Sequence, residues 1–389
     1  MSANAPTTMN WKGKVLYRPP HQNGSCDSTV PKYHYVQPTA GNPSGAWSTS
    51  GKFLDFVIPK EIGTLYNLTF RFLINNTSGV AKQAPPTPFW FSSVEVSIGS
   101  KKLETIYPGE LYNESIGFLA LDMLDSLKPV LNASTNEALN YTECGSIPTG
   151  VSTYFLPFSS CLTTSRIYAA GIKEDIKIRV YFPPGLLVST VSLSDLTLVV
   201  DEDVGSREDK DAWIQAHSSG IVYNTVVRQR QNVTVNRLTG NTQTVDLTGL
   251  SGSSAGLLVY SNSGALATSE TIADQVTRYN ISALTLQDQM GNKLTEELTG
   301  VWLKSFVWPK HVGTSFPVEA ATFLVPFSAD FRKAVEEGVN CGQFAMDGNQ
   351  KLLLGAATST RTESINITNY TYQSIIVVNG KVVAVIERY

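Results

Sequence analysis

The chain has 389 residues, long enough for two or three domains that each bury a core of their own. Only 16% of them are charged, against roughly 25% in an ordinary soluble protein, while 42% are hydrophobic. The net charge of −3 excludes a basic nucleic-acid-binding body, because neutralising phosphates takes clustered Lys and Arg.

Residues 1–45 are rich in Pro, Gly, Asn and Thr, with scattered Trp11, Tyr17, Tyr33 and Tyr35. That composition predicts an arm, docked on a neighbour or packed as a leader on its own domain. The opening MSANAPTTMNWKGK has no apolar core of signal-peptide length, and no run of 18 apolar residues is long enough to span a membrane. Synthesis inside a cell is the expectation. Cys26, Cys144, Cys161 and Cys341 lie far apart without a C-x-x-C pair, as reduced thiols do.

From residue 52 the pattern is β. FLDFVIP (53–59) and LYNLTFRFLINN (65–76) alternate apolar residues, and VEVSIG (94–99) follows a Pro-rich loop. Residues 109–127 switch to helical spacing, with Leu111, Ile116, Leu119, Met123, Leu124 and Leu127. IKIRVYF (176–182) and LSDLTLVVDEDV (193–204) complete a first set of strands. A connector helix is predicted between Gly205 and Gly220. Ser206 is placed to cap its free amides, acidic Glu208 and Asp209 suit its first turn, and Trp213 and Ile214 supply an apolar contact. His217 falls at its negative dipole end, in a structural role.

The second half resumes with GIVYNTVVRQRQNVTVNRL (220–238), in which Arg228 and Arg230 read as the exposed face of a strand. The Gly/Ser-rich residues 247–269 read as a long exposed loop with short strands. ALTLQD (283–288), SFVWP (305–309), TFLVPF (322–327), a short helix at 328–337 and KLLLGAA (351–357) follow. Asn379-Gly380 between two Val/Ile runs is a strong hairpin signal.

One stretch occurs twice. TYFLPFSSCL (153–162) and TFLVPFSADF (322–331) share Pro-Phe-Ser, and upstream of each lies a weaker pair, SSVEVSIGSKKLETI (92–106) and SALTLQDQMGNKLTEEL (282–298). Two related β-domains in tandem explain the pairs. The fold class expected is all-β: two tandem eight-stranded jelly rolls with short connector and loop helices. The first roll covers 46–204, the connector helix 205–219 and the second roll 220–389.

No chemistry stands out. None of His21, His34, His217 and His311 lies within five residues of another, so no zinc pattern exists. There is no G-x-S-x-G elbow and no phosphate-cradling glycine loop. Glu104, Glu110, Asp122, Glu174 and Asp201 are candidate acids only in the sense that every acid is, and Asp201-Glu202-Asp203 reads as a solvated turn. No catalytic residue, metal site or cofactor is expected.

The tandem plan, the LPFSS…IKIRVYF block and the passage VSLSDLTLVVDEDVGSREDKDAWIQAHSSGIVYNTVVRQRQ (191–231) resemble double jelly-roll major capsid proteins. That lineage runs from tectiviruses through virophages and polinton-like viruses to large eukaryotic DNA viruses. The resemblance implies a homotrimer in which six rolls form a pseudo-hexameric capsomer that tiles an icosahedral shell. It also implies neighbouring capsomers, penton and minor capsid proteins as partners. The arm would run along the inner side, toward a membrane or adjacent capsomers, and the charge-poor surface suits such contacts. The alternatives weighed are a carbohydrate-binding or adhesin-type β-sandwich and a minor capsid or spike component.

Overall fold

A computed structural model of the chain describes residues 9–11, 14–16, 30–39, 53–84, 86–117, 145–183, 190–204, 207–235, 242–261, 281–313, 322–355 and 363–388. Residues 64–76 show how this sequence becomes sheet. Leu68, Phe70, Phe72 and Ile74 alternate with Thr69, Arg71 and Leu73, and the first set is fully buried. Successive side chains of a strand point to opposite faces, so the alternation buries one face against a partner sheet.

The strands of the first half are β1 (Met9–Trp11), β2 (Lys14–Leu16), β3 (Val30–Val36), β4 (Phe53–Val57), β5 (Thr64–Asn76), β6 (Lys82–Ala84), β7 (Ser93–Ile98), β8 (Lys101–Ile106), β9 (Gly145–Ile147), β10 (Gly150–Phe158), β11 (Ile176–Tyr181) and β12 (Val191–Val204). Helix α1 (Pro108–Gly117) follows β8. Two four-stranded antiparallel sheets form, in the orders β10-β5-β12-β3 and β4-β11-β7-β8. They face each other: Phe56 of β4 meets Phe70 of β5 at 5.7 Å between ring centroids, while within its own sheet Phe70 stacks on Phe158 at 4.8 Å. This is a jelly roll.

The second half repeats it. Its strands are β13 (Ile221–Val235), β14 (Gln243–Asp246), β15 (Ser251–Ser261), β16 (Ala283–Gln287), β17 (Leu298–Thr299), β18 (Thr322–Pro326), β19 (Phe344–Asp347), β20 (Lys351–Leu354), β21 (Glu363–Val378) and β22 (Lys381–Glu387). The path β13-β21-β15-β18 matches β3-β12-β5-β10 strand for strand, and β14-β20-β16-β17 matches β4-β11-β7-β8. Val245, Leu284, Leu286 and Leu352 of the small sheet pack on Leu257, Val259, Phe323 and Ile367 of the large one. The two Pro-Phe-Ser copies end the equivalent strands β10 and β18, and the weaker pair covers the equivalent β7–β8 and β16–β17. The duplication legible in sequence is thus one of topology. The fold is all-β, two jelly rolls in tandem.

The extra strands extend the large second-roll sheet. Strand β2 runs parallel to β13, with Val15 opposite Ile221, and β1 pairs with β2. β22 returns on β21 through Asn379 and Gly380, whose φ of 52° and 70° are what a tight hairpin turn requires. β3 falls inside residues 1–45, the stretch read as an arm, and is the edge strand of the first large sheet.

Three sequence expectations change, the first being that Asp201-Glu202-Asp203 is not a solvated turn but the end of strand β12, with Glu202 buried. Residues 251–261 are an interior strand rather than exposed loop, flanked by β21 and β18. Their small side chains remove the apolar period and allow close approach: a Cβ on Gly256 would sit 3.0 Å from the Phe331 ring. SFVWP is not a strand but part of a continuous helical stretch, Gly300–Trp302, Leu303–Val307 and Trp308–Val312, here named the ridge helix. The Thr299 side chain accepts from the Trp302 amide at its start, and Gly313 at φ 80° ends it. The helix read at 109–127 is described over Pro108–Gly117; its remainder lies outside the described residues.

Candidate functional site

The place where unusual chemistry collects is the seam between the two rolls. α1 is laid across the outer face of the large second-roll sheet, the face opposite the second-roll core. Arg228 of β13, whose side chain is 2% exposed, points from that face into the first roll. Its guanidinium donates from Nε and Nη2 to the two carboxylate oxygens of Glu114 at 2.7 and 2.6 Å, and from Nη1 to Glu104 Oε2 at 2.8 Å. The remaining acceptors are filled as well. Glu104 Oε1 accepts from the Cys161 amide at 2.5 Å, and Glu114 accepts from Tyr370 Oη at 2.8 Å and Ser159 Oγ at 3.0 Å.

One helical turn before Glu114, Glu110 is also fully buried. It accepts from the Tyr107 amide at 2.8 Å and from Thr368 Oγ1 of β21 at 2.6 Å. Burial pushes the Glu110 carboxyl up to about 7, against the two hydrogen bonds and the more distant Arg228 and Arg230. Burial raises Glu104 too, with Arg228 opposing. Burial works to lower Arg228, but Glu114 and Glu104 overcome it and hold its proton firmly. The first-roll side therefore brings two carboxylates onto one buried arginine, with a third, Glu110, buried one helical turn away. Thr322 Oγ1 donates to Asn113 Oδ1 at 2.9 Å, and Thr164 Oγ1 to the Val335 carbonyl at 2.9 Å, which ties the rims.

A second tie runs through the connector helix (Arg207–Ser219). Trp213 is buried and stacks on Tyr168 of the first roll at 5.2 Å and 1°, with Tyr223 of the second roll 6.3 Å away on its own side. His217 Nδ1 lies 2.7 Å from the Trp213 carbonyl and Nε2 lies 2.8 Å from Tyr223 Oη. A carbonyl only accepts, so Nδ1 carries the proton and Nε2 accepts from the tyrosine. Burial lowers the His217 pKa, which keeps the ring neutral; hydrogen bonds, not charge at the helix end, hold it. Ile214, expected to share the apolar contact with Trp213, is instead 51% exposed, because it lies one residue around the helix from the buried stripe of Trp213, Ala216 and His217. Ser206 lies outside the described residues, as do Asp122, His21, Cys26 and Cys144. Trp213→Ala is expected to cost about 3–5 kcal/mol, as buried Trp truncations do, read as a lowered guanidinium midpoint.

The third tie is the β21–β22 hairpin. Lys173 N donates to the Gly380 carbonyl at 2.7 Å, Val382 N to Glu174 Oε2 at 2.9 Å, and Lys101 Nζ to the Val382 carbonyl at 2.5 Å.

No protein-family model matches this chain, and no curated protein matches it in sequence. Solved structures do match in shape. PBCV-1 VP54, fitted into a reconstruction of the virophage Sputnik, superposes at a TM-score of 0.72 with 13% identity, over 97% of this chain and 99% of that one. The Faustovirus major capsid protein superposes at 0.64 with 9% identity, over 90% of each chain. A chain of Sulfolobus Turreted Icosahedral Virus superposes at 0.54 with 15% identity, over 88% and 90%. The fold is the double jelly roll.

The seam is a buried joint between the two rolls. Its carboxylates and arginine satisfy one another and are sealed from solvent, so a dissolved substrate has no approach to them. Among the described residues no group of three His, Cys, Asp or Glu is placed to hold a metal ion. Arg228, expected on an exposed strand face, is the residue most changed by the structure: the first roll covers that face. Of the candidate acids, Glu104 and Glu110 meet in the seam and Glu174 in the hairpin clasp. Asp201 stands apart on β12, receiving a 3.3 Å hydrogen bond from Asn67.

Proposed function

We propose that the chain is a major capsid protein, the structural subunit of a trimeric, pseudo-hexameric capsomer that tiles the icosahedral shell of a double-stranded DNA virus. The observation that carries this reading is the end-to-end match to PBCV-1 VP54, 97% of one chain on 99% of the other. Two rolls fused by a rigid buried seam make a subunit of which three copies present six lobes. The charge-poor composition supports extensive contact with neighbours. Residues 46–204 together with β3 (Val30–Val36), and residues 220–389, serve as the rolls, and 205–219 serves as the connector, in which Trp213 joins the halves. The arm within 1–45 reaches neighbouring capsomers, minor capsid proteins or an internal membrane. The chain acts by packing, in the virion.

Size-exclusion chromatography with light scattering tests the reading. The expected result is a species of three times the 42.3 kDa chain mass, six-lobed in negative-stain micrographs. A stable monomer at all concentrations overturns it, and a monomer that also binds glycans favours the carbohydrate-binding alternative.

A further inference from the structure

Because the rolls share one order of elements, each surface of the first has a counterpart on the second. α1 and the ridge helix are such a pair: each follows the last strand of a small sheet, β8 or β17, and precedes the edge strand of a large one, β10 or β18. Setting Pro108 on Gly300 aligns Leu111 with Leu303, Tyr112 with Lys304 and Ser115 with Val307, and all six are buried. That side of each helix faces its own roll.

The opposite side aligns Gly109, Glu110, Asn113 and Glu114 with Val301, Trp302, Ser305 and Phe306. In α1 all four are buried against the second roll. In the ridge helix all four are bare: Val301 is 68%, Trp302 48% and Phe306 48% exposed, and the Trp302 and Phe306 rings stack on each other at 4.2 Å. The surface that receives α1, the outer face of β13-β21-β15-β18, also has a counterpart. On the first roll this is the outer face of β3-β12-β5-β10, where Tyr33 and Tyr35 are 60% and 64% exposed, in register with Asp201 and Val199.

We infer that the ridge of Val301, Trp302 and Phe306 docks on the Tyr33–Tyr35 face of a second copy of this chain, repeating between copies the contact that α1 makes inside each one. The inference rests on the coat-subunit reading and names its contact. The two surfaces differ, so the contact is heterologous, the kind that closes into a ring when the rotation allows. Its chemistry differs from that of the internal seam in the direction assembly requires. The seam forms once and is ion-paired, whereas the ridge and its face offer mainly Trp, Phe and Tyr, large contact areas with Asp201 beside Tyr33 and Lys310 beside Phe306.

Light scattering on three proteins tests it: wild type, the ridge variant Trp302→Ser/Phe306→Ser, and the face variant Tyr33→Ser/Tyr35→Ser. The expected result is a three-chain mass for wild type and a one-chain mass for each variant. An equimolar mixture of the variants is expected to give a two-chain species and nothing larger, since it holds one intact ridge and one intact face. Misfolded variants cannot give that species, so its appearance also shows that they fold. Variants that keep the wild-type mass, or a mixture that stays at one-chain mass, overturn the inference and leave the coat reading standing. A wild type that is itself a single chain overturns both.

Discussion

Arg228→Met is expected to cost about 3–5 kcal/mol at neutral pH, the usual consequence of removing one partner from a buried ion pair. Methionine fills much of the arginine's length but returns none of its donors, so Glu104 and Glu114 are left facing each other without a cation. Most of the loss comes from stranded charge rather than from missing attraction. A triple variant, Arg228→Met with Glu104→Gln and Glu114→Gln, is therefore expected to recover much of the stability, because a neutral buried cluster is cheap to enclose. Arg228→Lys should fall between, since an ammonium cannot bridge both carboxylates with the planar fork. Guanidinium unfolding midpoints at fixed m-value check the series. A triple variant no more stable than the single one would show that packing around the guanidinium, not its charge, is what matters.

The second prediction concerns pH. Glu110 titrates near 7 in the folded chain and near 4.5 when unfolded, so the folded state holds the proton over that interval. Stability from this group is fully present below about pH 4.5 and is lost as pH rises, the loss being complete a little above 7. Its size is about 3 kcal/mol, at 1.36 kcal/mol for each pH unit between the two values. Burial shifts Glu104 in the same direction. Asp55, held low by its hydrogen bonds to Arg179, has the opposite sign, but its effect lies below the ordinary carboxylate range and does not overlap. Glu110→Gln can keep both contacts, its oxygen to the Tyr107 amide and its amino group to the Thr368 hydroxyl. The variant is expected to match wild type near pH 4.5 and exceed it by about 3 kcal/mol at pH 8. Parallel stability profiles for the two proteins would rule the assignment out.

Much of the architecture is legible in sequence because alternation is a local property. β5, β7, β11, β12 and the β21–β22 hairpin all declare themselves by period or turn residues, and the Pro-Phe-Ser repeat points to the duplication. β15 does not, because Gly252, Ser253, Ser254 and Gly256 erase the period in the same act that lets Phe331 pack against the strand. The ridge helix hides because SFVWP, taken alone, is a short apolar run that fits either structure. The seam is hidden for a stronger reason. Arg228 and Arg230 alternate on a strand in the way a solvated face does, and Arg228 meets Glu114 and Glu104 across 114 and 124 residues of chain. Glu110 and Glu114, four apart on one helix face, were the available local signal, but an acidic pair on a helix is ordinarily a surface feature.

The central position of β21 has a consequence for how the protein is made. Residues 363–387 leave the ribosome after every other element described here, yet β21 lies between β13 and β15 and carries Thr368 and Tyr370 into the seam. A nascent chain short of residue 363 has a second roll split down its middle and two first-roll carboxylates, Glu110 and Glu114, without their hydroxyl partners from β21. Such a chain also lacks the hairpin clasp of Gly380 and Val382 on the first roll. The joint between the rolls is therefore completed only after residues 363–387 have been made, however early its Arg228, Glu104 and Glu114 are in place.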